Sequence, residues 1–166
     1  MAEKIPIVTF IGKSNSGKTT LLVKIIPELK KRGYRIATIK HSHHNVNIDK
    51  KGKDSWKHKE AGSETVILMS GKTVSMVREY EEEPQVEFIR DRFIDSVDIV
   101  LAEGFKWTDV PKIWVFRKEN SSTIIRKDES LIAVVSDDET DLGVPWIHID
   151  DISKVADFVE EKFLKR

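Results

Sequence analysis

The chain has 166 residues, enough for one domain with a buried core but short for two, so we predict a single domain over residues 1–166. Its 28 basic and 28 acidic residues balance, which argues against nucleic acid or an anionic membrane as a partner. Cysteine is absent, which excludes disulfides and thiolate metal sites. The chain has neither a signal pattern nor a long apolar run, so we expect a cytoplasmic protein.

Short apolar segments alternate with segments of helical periodicity along the chain. Strands are predicted over residues 5–11, 34–39, 65–69, 97–102, 113–116, 131–135 and 146–149, and helices over residues 19–31, 54–61, 84–95 and 152–164. Because the strands are continuously apolar, they indicate a three-layer α/β fold, a mostly parallel sheet with helices on both faces. The segment SGKT, residues 70–73, predicts a hairpin turn that projects residues 74–80 as a small β-hairpin extension. Pro27 falls inside the first helix, where we expect a kink or a shifted helix.

The segment GKSNSGKTT, residues 12–20, joins the first strand to the first helix. It matches the pattern G-x-x-x-x-G-K-[ST] at Gly12, Gly17, Lys18 and Thr19. In this pattern the backbone N–H groups and the helix N-terminus surround phosphates, Lys18 reaches the outer phosphates, and the Thr19 hydroxyl ligates magnesium. A turn without function is the alternative, but a chance match in this context is rare. The segment predicts a P-loop NTPase fold.

A second magnesium ligand is expected at the carboxyl end of a neighbouring strand. The segment DIVLAEG has Asp98 at its start and Glu103 at its end, roughly 16 Å apart in an extended strand, so only one can reach the phosphate loop. Glu103 is the better placed, and Gly104 after it would let the backbone approach a phosphate. We predict that Glu103 joins Thr19 at the magnesium and that Asp98 is structural.

Four histidines fall within residues 39–58: His41, His43, His44 and His58. In an extended loop, His41 and His43 would share one side as metal ligands or phosphate donors. Spacing fixes no third metal ligand, so a solvated loop is preferred over a metal site. Anion binding is better supported, because the strand that carries Lys40 should end beside the phosphate loop. Asp54 and His58 are four positions apart on a helix, so they could pair, or Asp54 could cap the helix.

Base recognition falls to two strand ends, where RKEN follows residues 113–116 and SDDE follows residues 131–135. A carboxylate there can accept hydrogen bonds from N1–H and the exocyclic amine of guanine, and adenine offers no such pair. Asp137 and Glu119 are the candidates. Turn chemistry explains either acid equally well, so the residues alone leave guanine and adenine open.

The order of GKSNSGKTTL, IKHSHH, GKDSWKHKEAG, LAEGFK and PKIWVFR, within residues 5–137, resembles the molybdopterin-guanine dinucleotide biosynthesis protein B (MobB) family. The resemblance implies a homodimer that binds GTP and magnesium (Mg2+) and has weak GTPase activity, with Lys18 and Glu103 as its catalytic residues. Such a protein assists the guanylyltransferase that attaches GMP to molybdopterin in molybdenum cofactor biosynthesis, and molybdopterin is a further candidate ligand. The implied phosphate site is Gly12, Lys13, Ser14, Asn15, Ser16, Gly17, Lys18, Thr19 and Thr20. The implied cleft residues are His41, His43, His44, Asp54 and His58.

The resemblance also favours dimerisation through residues 66–80, although the charged segment REYEEE, residues 78–83, could be a solvated edge that prevents pairing. Lys13 stands where some dimeric P-loop proteins carry a lysine that reaches the partner's nucleotide. Ser14 and Asn15 replace the usual glycines after it, so a solvent-facing lysine is the favoured interpretation.

Two other functions remain open. A small-molecule or nucleotide kinase would need an acceptor site with a carboxylate base and an arginine-rich lid, and Arg117 and Arg126 are too few for a lid. A metal-delivery protein would need stoichiometric binding of a divalent metal by the histidine segment. The sequence presents no convincing water-positioning residue, which favours slow hydrolysis and an adapter role.

Overall fold

The computed structural model describes residues 4–42, 50–120 and 128–165. It divides into two compact units, Met1–His41 with Gln85–Arg166, and Ser42–Pro84. The single domain expected over residues 1–166 stays a prediction.

In chain order the elements are β1 (Ile7–Ile11), α1 (Lys18–Lys31), β2 (Ile36–Lys40), α2 (Asp54–Glu60), β3 (Thr65–Ser70), β4 (Thr73–Arg78), α3 (Val86–Phe93), β5 (Ile99–Glu103), β6 (Lys112–Phe116), β7 (Leu131–Ser136), β8 (Trp146–His148) and α4 (Ile152–Phe163), with a 3-10 turn, Lys118–Asn120, after β6.

The described strands of the first unit form a parallel sheet in the order β2-β5-β1-β6-β7-β8. β1 is central and fully buried, as its continuous apolar sequence predicts for a strand covered on both faces. It pairs with β5, with Phe10 opposite Glu103, and with β6, with Ile11 opposite Trp114. Since these strands are parallel, their carboxyl ends bring residues 12–18 and Glu103 to the same edge of the sheet.

Helices cover both faces of this sheet. On one face, Ile25 of α1 and Val159 of α4 pack with Phe10 in the largest buried cluster. On the other face, Val86 of α3 packs with Ile7. Burial of each large aliphatic side chain contributes about 1.5–3 kcal/mol, so these contacts hold the helices to the sheet. The predicted three-layer α/β arrangement is confirmed.

The second unit contains α2 and the antiparallel pair β3–β4. Ser70 lies opposite Thr73, and Gly71 has φ 56° in the turn between them, so the predicted hairpin at residues 70–73 is confirmed. α2 contacts β3. This contact supports the hairpin, because an isolated two-stranded sheet is only marginally stable in water.

Two helix predictions differ from the structure. α1 runs through Pro27 and ends at Lys31 as expected, so the shifted helix is wrong, whereas the kink stays a prediction. Burial of Ile25 and Leu29 on either side offsets the roughly 3 kcal/mol that an internal proline costs. α3 starts at Val86, two residues after Pro84, with Gln85 as its N-cap. Among the described residues, no helix has the length and apolar character needed to cross a membrane.

Candidate functional site

The loop between β1 and α1 has a backbone that requires glycine at its first position. Gly12 has φ 156°, and a Cβ there would lie 2.2 Å from the carbonyl oxygen of Val115. Asn15 has φ 63° and Gly17, the N-cap of α1, has φ 95°. The loop therefore turns tightly, and the first N–H groups of α1 have no partner within the helix and remain available to a ligand.

Lys18 lies across this loop. Its Nζ donates to the carbonyl oxygens of Gly12 at 3.1 Å and Lys13 at 2.5 Å. Burial lowers the pKa of Lys18, Glu103 opposes that shift, and repulsion by Lys106 and Lys40 adds to it. The ammonium is therefore held among backbone acceptors at the point where the motif places phosphates.

Thr19 and Glu103, the two predicted magnesium ligands, are in direct contact. The Thr19 hydroxyl lies 2.9 Å from both carboxylate oxygens of Glu103, whose side chain is only 12% exposed. Magnesium prefers hard oxygen ligands and is commonly held by one or two carboxylates together with substrate phosphates. One hydroxyl and one carboxylate beside the phosphate loop fit that donor set.

His41 packs against the segment that carries Glu103. Its backbone N–H donates to the Glu103 carbonyl at 2.9 Å, and its ring centroid lies 5.1 Å from that of Phe105. Gly104 has φ 98°, and a Cβ there would lie 3.0 Å from the Cβ of His41. His41 and Gly104 therefore fix the strand end from which the Glu103 side chain projects.

Of the other residues of the predicted cleft, Asp54 and His58 lie on α2 in the second unit. His43 and His44 lie outside the described residues, as does Arg126. Asp54 is the first residue of α2, after the N-cap Lys53, and its carboxylate pairs with Lys57 at 3.2 Å. The capping interpretation of Asp54 is therefore wrong, because Lys53 is the N-cap, whereas pairing of Asp54 with His58 stays a prediction.

The exposed residues of the motif lie at the mouth of the loop. The side chains of Lys13, Ser14 and Asn15 are exposed, that of Ser16 is buried, and Thr20 is exposed on α1. The exposure of Lys13 agrees with the solvent-facing interpretation. The alternative, in which Lys13 reaches the nucleotide of a partner subunit, stays a prediction.

Asp137 and Arg117 form a charged pair at the ends of β7 and β6. Asp137 accepts a hydrogen bond from the Lys118 backbone N–H at 2.8 Å and lies 3.5 Å from Arg117. Arg117 also lies beside the phosphate loop, with its Nε 3.6 Å from where a Cβ of Gly17 would be. Glu119 lies in the exposed 3-10 turn.

Two cations of the site are not among the predicted site residues. Arg117 is predicted only as a possible lid residue, although a residue that directly follows a strand beside β1 should lie near the loop. Lys106 has no predicted role, yet its charge acts on Lys18. The only available signal for Lys106 was its place just after Glu103 and Gly104.

Asp98, predicted to be structural, accepts from the backbone N–H of Arg35 at 2.7 Å and pairs with its guanidinium at 3.0 Å. Arg35 holds the pKa of Asp98 below its usual range. This carboxylate therefore ties the start of β5 to the segment before β2.

Comparison with known proteins gives consistent similarities. Residues 7–137 match the family model MobB, molybdopterin guanine dinucleotide synthesis protein B. The chain is 40% identical over 161 residues to the molybdopterin-guanine dinucleotide biosynthesis adapter protein of Haemophilus influenzae, covering 96% of this chain and 90% of that protein. It is 39% identical over 169 residues to the Escherichia coli protein of that name, covering 98% of this chain and 95% of that protein.

A crystal structure of molybdopterin-guanine biosynthesis protein B matches with TM-score 0.78 and 30% identity, covering 96% of this chain and 99% of that chain. The predicted P-loop NTPase fold is confirmed.

Proposed function

The chain belongs to the MobB family, and from this premise we propose that it is a GTP-binding adapter protein of molybdenum cofactor biosynthesis. In this role it assists a guanylyltransferase that attaches GMP to molybdopterin. The relatives are named as adapter proteins for molybdopterin-guanine dinucleotide biosynthesis, which supports the pathway and the adapter role.

The contact between Thr19 and Glu103 is the observation that carries the nucleotide proposal. It joins a residue of the phosphate motif to a carboxylate 84 positions away. Magnesium bound there would neutralise charge on the outer phosphates. Lys18 would donate to the same phosphates, and the glycine backbone at residue 12 would let the chain approach them.

The guanine preference is supported by Asp137. Its carboxylate is oriented by the Lys118 N–H and by Arg117, and a carboxylate can accept from both N1–H and the exocyclic amine of guanine. The names of the relatives include guanine dinucleotide. We therefore place the base against the ends of β6 and β7.

Hydrolysis is expected to be slow. Glu103 is engaged by Thr19 and by Lys40 at 3.3 Å, so it is placed as a metal ligand and not as a base for water. The adapter role would then depend on nucleotide binding by this protein and not on the rate of GTP hydrolysis. The kinase alternative gains no specific support from the described residues.

Calorimetric titration with non-hydrolysable GTP and ATP analogues in magnesium tests the nucleotide proposal. We expect the GTP analogue to bind more tightly than the ATP analogue, and Lys18→Ala to weaken GTP-analogue binding at least about a hundredfold, because a partly buried ammonium is lost from the phosphates. Lys24→Ala is the matched control, since Lys24 is exposed on the same helix. Preference for the ATP analogue, or unchanged binding by Lys18→Ala, would refute the assignment.

The adapter role has its own experiment. A saturating guanylyltransferase, shown to be bound, should change either GTP hydrolysis or nucleotide release by this protein. Unchanged rates with the bound enzyme would leave a GTP-binding protein without the proposed coupling.

We further propose that the protein is a homodimer paired through the hairpin. Ile67 is 59% exposed and Met69 is 72% exposed, and both lie on β3. Apolar side chains this exposed are typical of an interaction surface.

A further inference from the structure

Lys40 lies where a cation would bind, although it is not part of the phosphate motif. Its Nζ is 3.3 Å from Oε1 of Glu103 and 3.4 Å from Oγ1 of Thr19. These are the two groups assigned above to magnesium. The Lys40 ammonium therefore contacts the same oxygens that would hold magnesium.

The backbone of Lys40 is fixed, whereas its side chain has room to move. Lys40 is the last residue of β2 and lies opposite Glu103 in the parallel ladder. Its side chain is 59% exposed, whereas that of Glu103 is 12% exposed. A long, exposed side chain on a fixed strand end can exchange partners at little cost, while Glu103 stays in place.

The charges around Glu103 are unbalanced. Two ammonium groups lie at this edge of the sheet: Nζ of Lys18 contacts the carbonyl oxygens of Gly12 and Lys13, and Nζ of Lys40 lies 3.3 Å from the Glu103 carboxylate. This excess of positive charge complements a polyphosphate, and each added phosphate increases the attraction.

We propose that Lys40 is a specificity residue that recognises the terminal phosphate of a nucleoside triphosphate. Two cations on the same oxygens repel each other, so Lys40 opposes magnesium binding at Thr19 and Glu103. With magnesium held by Thr19 and Glu103, the Lys40 ammonium would be free to pair with the terminal phosphate of a nucleotide bound at this edge of the sheet. Lys40 thereby favours a triphosphate over a diphosphate and sets the magnesium concentration that binding requires. The inference rests on the proposed nucleotide function.

Lys40→Met tests this proposal, because methionine keeps much of the side-chain length and removes the charge. The dissociation constants of a non-hydrolysable GTP analogue and of GDP are measured by calorimetry over a range of magnesium concentrations. The affinity ratio of triphosphate to diphosphate should fall about tenfold, the effect of one charge-assisted hydrogen bond. The magnesium concentration for half-maximal GDP binding should fall at least about threefold, because the competing cation is gone.

Two comparisons make the outcome decisive. Lys40→Arg keeps the charge and should restore both quantities towards the wild-type values, whereas Lys24→Met on α1 should change neither. If Lys40→Met leaves the ratio and the magnesium midpoint unchanged, or weakens GTP-analogue and GDP binding equally, the inference is overturned while the nucleotide function stands. Wild-type protein that binds neither nucleotide would overturn both.

Discussion

The phosphate loop has no room for a side chain at residue 12, which is glycine. A Cβ at this position would lie 2.2 Å from the Val115 carbonyl oxygen and 2.7 Å from Oγ of Ser16. The carbonyl belongs to β6 in the sheet and cannot move without disturbing the ladder. The phosphate loop therefore depends on close approach of two backbones, which only glycine allows.

Gly12→Ala should destabilise the protein by about 2–4 kcal/mol, because the clash adds to an unfavourable backbone conformation. Gly33→Ala is the control: Gly33 has φ 95°, but a Cβ there would meet nothing within 4 Å. That substitution should cost only about 1–2 kcal/mol for the left-handed conformation. Urea unfolding of both variants measures the difference. Equal losses would show that conformation, and not contact with Val115, excludes alanine at residue 12.

At the scale of elements, α1 and α4 are joined by a charged cluster beside their shared apolar core. The guanidinium of Arg32, at the end of α1, lies 2.7 Å from Asp157 and 2.7 Å from Glu160, both on α4. Tyr34 donates to Glu160 at 2.8 Å. These contacts fix the C-terminal half of α1, while its N-terminus holds the phosphate loop.

The cluster makes stability depend on pH. The hydrogen bonds from Tyr34 and then Arg32 hold the pKa of Glu160 below its ordinary value of 4.5. A carboxylate whose pKa is lowered on folding contributes stability that is fully present above its unfolded pKa and is lost as pH falls through the folded pKa. Arg32→Met should therefore destabilise the protein at pH 7, and the difference from wild type should shrink as pH falls below about 4.5.

Urea unfolding of Arg32→Met and wild type at several pH values provides the measurement. Lys31→Met is the control, because Lys31 is an exposed basic residue at the same end of α1. A difference between Arg32→Met and wild type that stays constant from pH 7 to pH 3 would show that packing of the Arg32 side chain, not its charge, stabilises the helix pair.

The sequence predicted those parts of the site that are local or lie at a strand end. Gly12, Gly17, Lys18 and Thr19 fall within eight positions, and Glu103 follows from the end of a buried strand. The sequence also predicts that the strand carrying Lys40 ends at this edge, but it does not specify the contacts of Lys40 with Thr19 and Glu103 or of Arg117 with the loop. They depend on the strand order β2-β5-β1-β6, which the alternation of strands and helices does not specify.

Predictions from single residues were wrong where local signals compete with packing or turn geometry. Pro27 predicts a kink or a shifted helix, but no shift occurs, because apolar residues before and after it are buried and the helix continues to Lys31. Pro84 predicts a helix start, but α3 begins after Gln85. At Asp54 a helix cap is one of two interpretations, but the N-cap is Lys53 and the Asp54 carboxylate pairs with Lys57 on the first turn.

At the scale of the whole molecule, the proposed homodimer would pair through one face of the hairpin. In the β3–β4 register Ile67 lies opposite Met76, and Met69 lies opposite Val74. Since side chains two apart on a strand share a face, these four apolar residues form one exposed surface. Leu68, opposite Ser75, is on the other face and is 57% exposed.

Met69→Lys should weaken the proposed homodimer at least about tenfold, because it places a charge where an apolar side chain would otherwise be buried. Leu68→Lys introduces the same charge on the opposite face of the same strand and should leave the dimer nearly unchanged. Sedimentation velocity over a range of protein concentrations gives the dissociation constants. Equal weakening by the two substitutions would exclude this face as the specific interface. A wild-type protein that stays monomeric at high micromolar concentration would instead show that the charged segment at residues 78–83 keeps the hairpin edge solvated.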